Sequence, residues 1–136
     1  MEWVVDTSVL VDVFENDPDF GLRSARCLTR YLSQGLVVCP VTYIEFSPVC
    51  LGDQLLQETF FRKVGVRSLE PWTSKDTLTA HCLWNEHIQA KRAGSVKKRP
   101  IADVFIGAFA LRYAGLITRN AKDFSRLAPG LSIVEP

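Results

Sequence analysis

The sequence predicts an α/β fold with a central, mainly parallel sheet covered by helices on both faces, and three observations lead there. Short apolar runs recur along the chain: Trp3-Val4-Val5, Leu36-Val37-Val38-Cys39, Val64 to Leu69, Leu116-Ile117-Thr118 and Ser132-Ile133-Val134. Segments with helical spacing of apolar residues lie between them. Most of these runs are apolar throughout rather than alternating, which is the pattern of strands buried on both faces. With 47% apolar and 23% charged residues among 136, the composition suits one globular domain spanning residues 1–136.

The elements follow in order. Trp3-Val4-Val5 reads as a buried strand, and Asp6-Thr7-Ser8 supplies N-cap chemistry for a helix from Val9 to about Glu15. Asn16-Asp17-Pro18-Asp19 breaks that helix. Leu22, Ala25, Leu28 and Leu32 share a helical face, and Gly35 ends the segment. Leu36 to Cys39 is the second strand. Pro40-Val41-Thr42 then opens a helix carrying Glu45, which Pro48 kinks or ends. Gln54 to about Lys63 is helical, and Val64 to Leu69 forms the third strand. A long helix covers Ser74 to Arg92, capped by Thr73 or Ser74 and ended by Gly94. Pro100 opens a strongly apolar helix that runs to Tyr113 and stops at Gly115. The last two strands are Leu116-Ile117-Thr118 and Ser132-Ile133-Val134.

Charge and cysteine content exclude several classes. A net charge of +1 gives no global basic field, so any nucleic-acid binding rests on local patches. Cys27, Cys39, Cys50 and Cys82 form no CxxC pair and are expected to be reduced and packed. The residues after Met1 lack a basic n-region, and no run reaches the ~20 apolar residues of a membrane span. The chain is therefore expected to be cytoplasmic, with no membrane partner.

Ligands of parallel sheets bind at the carboxyl ends of the strands. Asp6 lies directly after the first strand, where it either caps the following helix or belongs to such a site. Glu45 completes a capping box with Thr42, or else is a carboxylate beside apolar Tyr43, Ile44 and Phe46 that needs a partner or a metal. Asp103 interrupts the apolar stretch from Ile101 to Ala110. It either complements the helix dipole or faces a ligand in the space left by Gly107, one turn on. Thr118, Asn120 and Asp123 place three oxygen-bearing side chains after a strand, as an Asx-type turn or as ligands. Clustered carboxylates resist joint ionisation unless a cation neutralises them. An all-oxygen set with no His or Cys selects Mg²⁺ or Mn²⁺ over zinc. His81 and His87 form no HExxH pair. No P-loop occurs, no Asp-x-Asp follows the first strand, and the adjacent acids of a receiver domain are absent there.

Four segments together resemble the PIN-domain ribonucleases, and more narrowly the VapC-like toxins of toxin–antitoxin pairs. They are Val4 to Leu10, Val41 to Glu45, Ile101 to Asp103 with its Ala/Gly-rich helix, and Leu116 to Phe124. In order and spacing they cover essentially the whole chain. The resemblance implies a Rossmann-like three-layer α/β/α fold, Mg²⁺ or Mn²⁺ as cofactor, and endonucleolytic cleavage of RNA. It places Asp6, Glu45 and Asp103 at the family's acidic positions and Asp123 or Asn120 at the fourth, with Asp123 favoured. Thr7, Thr118 and Asn120 would then be supporting polar groups. It also implies a cognate antitoxin and a homodimer. Lys91 to Arg99 carries five positive charges in nine residues just before Asp103. It reads as a solvated loop or as steering for the RNA backbone through Lys97, Lys98 and Arg99, with Arg119 a further phosphate contact. The alternative function is a PIN-like module that docks RNA or protein without catalysis.

Overall fold

The computed structural model of the protein describes residues 1–92 and 101–136. Its sheet holds β1 (Trp3–Val5), β2 (Leu36–Val37), β3 (Val66–Arg67), β4 (Gly115–Ile117) and β5 (Ile133–Val134). The spatial order is β3-β2-β1-β4-β5 and every pairing is parallel. Val4 pairs with both Val37 and Leu116, so β1 is central. The chain walks outward from β1 to β3, then returns to lay β4 on the other side of β1. Strand order therefore reverses between β1 and β4, and the segments leaving their carboxyl ends border a crevice.

The apolar strand runs are explained by helices on both faces. Val5, Leu36, Val38 and Ile117 bury against α1 (Thr7–Phe14), α2 (Gly21–Tyr31) and α4 (Gln54–Val64) through Val9, Leu10, Leu28 and Phe61. Val4, Val37, Cys39 and Leu116 face the other way, onto Ile106 and Phe109 of α6 (Ile101–Ala110) and Phe124 of α7 (Ala121–Leu127). The two sets alternate along each strand, as the pleat requires. A third cluster joins α5 (Ser74–Arg92) to α6 and α7 through Ala80, Leu83, Val104, Ala108 and Leu127. The predicted three-layer α/β/α fold is what the structure contains.

Differences from the sequence reading have local causes. α1 starts at Thr7 rather than Val9, because Asp6 accepts the Thr7 N–H. α4 continues to Val64 and ends on Gly65 at φ 79°, which trims β3 to two residues. α6 stops at Ala110 rather than Tyr113, where tighter turns take over from Phe109 to Arg112 and from Ala110 to Tyr113. The segment after β4 offers an Asx-type turn in sequence; from Ala121 to Leu127 it is a helix, with Phe124 and Leu127 buried against the core. The long helix is capped at Thr73, whose Oγ1 accepts the Asp76 N–H while Asp76 Oδ2 accepts the Thr73 N–H. The expected end at Gly94 and start at Pro100, together with Lys97, Lys98 and Arg99, lie outside the described residues.

All four cysteines are free, and three are buried, but Cys82 is exposed on α5 rather than packed. Among the described residues, no helix is long and apolar enough to cross a membrane.

Candidate active site

Asp6 sits at the carboxyl end of β1 and is 4% exposed. It is the N-cap of α1, so that reading of the sequence holds. The cap uses only part of its capacity. Oδ1 accepts the Thr7 N–H at 2.8 Å, while Oδ2 accepts the hydroxyls of Ser8 at 3.0 Å and Thr118 at 2.7 Å. Thr118 is fully buried at the end of β4 and accepts the Asn120 N–H at 3.0 Å. A single hydroxyl thus links the two strands that border the crevice. Burial pushes the Asp6 carboxyl above its ordinary pKa, opposed by the Thr118, Ser8 and Thr7 donors and reinforced by the charge of Glu45.

Glu45 reaches the same place from β2. It is the last residue of α3 (Pro40–Glu45), whose N-cap is Cys39. Thr42 lies inside this helix, so the capping box of Thr42 and Glu45 is not formed. Glu45 instead accepts the Thr7 hydroxyl at 2.7 Å, and that hydroxyl lies 3.2 Å from the buried hydroxyl of Thr42. The apolar neighbours did not predict its surroundings. Phe46 is buried, but Ile44 is 71% exposed and Glu45 is itself exposed.

Asp103 occupies the first turn of α6 and is partly buried. Its carboxyl is pushed up to about 6, first by burial and then by the charges of Asp6, Glu45 and Asp123. All three other acids are therefore close enough to repel it. Asp123 stands exposed in the first turn of α7, three residues after Asn120 at the N-cap. The Asn120 side chain makes no capping bond, and its backbone N–H is what ties it to Thr118. Gly107 does not leave the expected ligand space. It is buried against α7, where a Cβ would lie 3.6 Å from Ala128 Cβ and 3.7 Å from the Phe124 ring.

Whether these groups suit a cation is answered by charge and donor type. Asp103 feels the charges of Asp6, Glu45 and Asp123, and no Lys, Arg or His among the described residues forms an ion pair with any of the four. Among the described residues the ion pairs lie elsewhere, at Glu2, Glu70, Asp76 and Asp12. The supporting groups are hydroxyls and amides, which orient carboxylates without neutralising them. Hard oxygen donors in excess negative charge fit Mg²⁺ or Mn²⁺. Among the described residues, however, no three His, Cys, Asp or Glu side chains are already drawn into a closed cage. The donor set fits, and the closure does not pre-exist.

Arg119 is placed differently from its reading as a phosphate contact. Its Nε and Nη2 donate to Oδ2 and Oδ1 of Asp12 at 2.6 and 3.0 Å, and its guanidinium lies 4.2 Å from the Phe20 ring centroid. Asp12, the next acid after Asp6 and buried in α1, is given no partner by the sequence alone. The available signal was a lone acid between Val11 and Val13. A separate apolar cavity of about 490 Å³ lies between α3, α5 and α6, with Trp72, Trp84, Ile101 and Phe105 in its wall. None of the four acids lines it.

The PIN domain family model matches residues 3–129. No curated protein sequence is a significant match. The fold is similar to VapBC2 from Rickettsia felis bound to a DNA fragment from their promoter, with a TM-score of 0.68 and 16% identity. It is also similar to VapBC-1 from nontypeable Haemophilus influenzae, with a TM-score of 0.66 and 23% identity. Both alignments cover 99% of this chain and 98% of the other. With the family model spanning nearly the whole sequence and the acids gathered where β1 and β4 part, this chain belongs to the PIN-domain family.

Proposed function

We propose that the chain is a Mg²⁺- or Mn²⁺-dependent endoribonuclease that cleaves RNA phosphodiesters at the acidic crevice, and the toxin of a toxin–antitoxin pair. The observation that carries this reading is the meeting of Asp6, Glu45, Asp103 and Asp123 with no cation paired to any of them among the described residues. Asp6 and Asp103 are the principal ligands, and Glu45 and Asp123 complete the site directly or through water. Held by these carboxylates, a divalent cation would supply charge neutralisation and a more acidic water for attack on a phosphodiester. Thr118 and Ser8 hold Asp6 in one rotamer, and Thr7 holds Glu45 toward it. Asn120, exposed at the N-cap of α7, serves as a supporting polar group. Lys97, Lys98 and Arg99 steer the RNA backbone.

Membership of the PIN family and likeness to two VapBC structures support the toxin reading. A cognate antitoxin and a homodimer belong to it. A silent docking module would have no use for four acids that pair with no cation among the described residues, since their mutual repulsion costs stability. The test is cleavage of a mixed RNA substrate with Mg²⁺ or Mn²⁺, with EDTA, and with Asp6→Asn and Asp103→Asn. Cleavage that needs metal and is lost in both variants is expected. Activity that ignores EDTA and survives both substitutions would overturn the mechanism. Light scattering of the purified chain, alone and with the product of any adjacent small gene, tests the homodimer and the antitoxin.

A further inference from the structure

We propose that Asp12 and Arg119 form a positioning pair that sets the separation of Asp6 and Asp123, and thereby the affinity of the crevice for a divalent cation. This rests on the metal-dependent reading above. Arg119 stands between two residues that belong to the crevice. On one side Thr118 donates to Asp6; on the other Asn120 begins α7, whose first turn carries Asp123. The turn from β4 to α7 is thus fastened to α1 at two points. Thr118 holds it at the N-cap, and Arg119 holds it at Asp12, about 9 Å further along the helix at 1.5 Å per residue.

The second fastening is built to be rigid. Both Asp12 oxygens are used by the Arg119 fork, and Oδ2 also accepts the buried Ser24 hydroxyl of α2 at 3.1 Å. Phe20 lies against the guanidinium and limits its plane. Asp12 is 3% exposed, so water does not substitute for a lost partner at low cost. With one fastening alone, the turn pivots about the Thr118 hydroxyl and Asp123 moves relative to Asp6. Groups that orient metal ligands without touching the metal act in this way, and their loss weakens binding by roughly 10–100-fold.

A control of matching chemistry exists in the same molecule. Arg112 grips the fully buried Asp76 through Nε at 2.6 Å and Nη2 at 2.9 Å, and it lies against Phe109. It precedes β4, at the opposite end of the strand from Thr118. Losing it removes a comparable buried ion pair without touching the crevice.

The experiment measures Mn²⁺ affinity by electron paramagnetic resonance of free Mn²⁺, with melting temperature and RNA cleavage kinetics alongside. The proteins are wild type, R119A, R119K, D12N and D76N. We expect R119A and D12N to bind Mn²⁺ roughly ten-fold or more weakly, R119K to fall between them and wild type, and D76N to lose stability but keep wild-type affinity. If R119A does not fold, R119K and D12N carry the comparison. Wild-type Mn²⁺ affinity in folded R119A, or equal weakening in D76N, would overturn the proposal. So would a raised KM for RNA at unchanged Mn²⁺ affinity, which would return Arg119 to phosphate binding. A wild type that binds no Mn²⁺ overturns the metal reading and this pair with it. One that binds Mn²⁺ but leaves RNA intact overturns only the ribonuclease reading.

Discussion

The buried hydroxyl of Thr118 donates to Oδ2 of Asp6 at 2.7 Å across 112 residues of sequence. It joins the carboxyl ends of two adjacent parallel strands where strand order reverses. Asp6 therefore has two duties. One oxygen caps α1, and the other is held by Thr118 and Ser8 at the crevice.

Those duties separate by substitution. Asp6→Ala removes the cap and leaves two hydroxyls without their acceptor, so it should cost about 1–2 kcal/mol. Asp6→Asn keeps an acceptor for the Thr7 N–H and removes a buried charge, so it should melt close to wild type. Both should lose metal-dependent cleavage. Thermal unfolding followed by circular dichroism, with a cleavage assay on the same samples, makes the comparison. An Asp6→Asn protein as unstable as Asp6→Ala would contradict the geometry.

The Asp103 carboxyl gives a pH signature. Its folded pKa of about 6 exceeds the ordinary 3.8, so between these values the folded state holds a proton that the unfolded state has released. Its contribution makes the metal-free protein less stable as pH rises from about 4 to 6, and it is level above that. Asp103→Asn should remove this slope and raise the melting temperature at pH 7.5 by about 3–5 °C. That is the shift ~1 kcal/mol gives a domain of this size, after discounting for the partial exposure of Asp103. Divalent metal needs the ionised form, so stabilisation by Mn²⁺ should be present above pH 6 and fade below it. Equal Mn²⁺ stabilisation of wild type at pH 5 and pH 7.5 would contradict the assignment.

Two glycines should respond in opposite directions. A Cβ at Gly115 would lie 2.3 Å from the Ser132 carbonyl oxygen and 2.6 Å from the Trp3 ring. Gly115→Ala should thus spread β4 from its neighbours and destabilise by about 2–3 kcal/mol. At Gly107 the added methyl meets only ordinary contacts, and the residue is inside α6. Gly107→Ala should stabilise by about 0.5–1 kcal/mol and keep cleavage intact. Urea unfolding of both variants checks the pair; loss of cleavage in a stable Gly107→Ala protein would restore the idea of a ligand space there.

Much of this molecule was written in local sequence. Apolar strand runs between helical segments determine a parallel sheet covered on both faces, because nothing else buries such strands with their helices. The position of Asp6 after β1, and of Asp103 in the first turn of an apolar helix, were legible for the same reason. The tertiary structure decided what adjacency in sequence does not carry. Glu45 is held by Thr7, not by a capping box, because α3 starts at Pro40 and turns its last residue toward α1. Asp123 enters on a helix that forms only because Phe124 and Leu127 find a core to bury in. Arg119 closes on Asp12 rather than facing solvent, since a buried carboxylate 107 residues away draws its fork inward. Local sequence fixes where a strand ends and a carboxylate stands. Which distant group then holds that carboxylate depends on strand order, and strand order is a property of the whole packed chain.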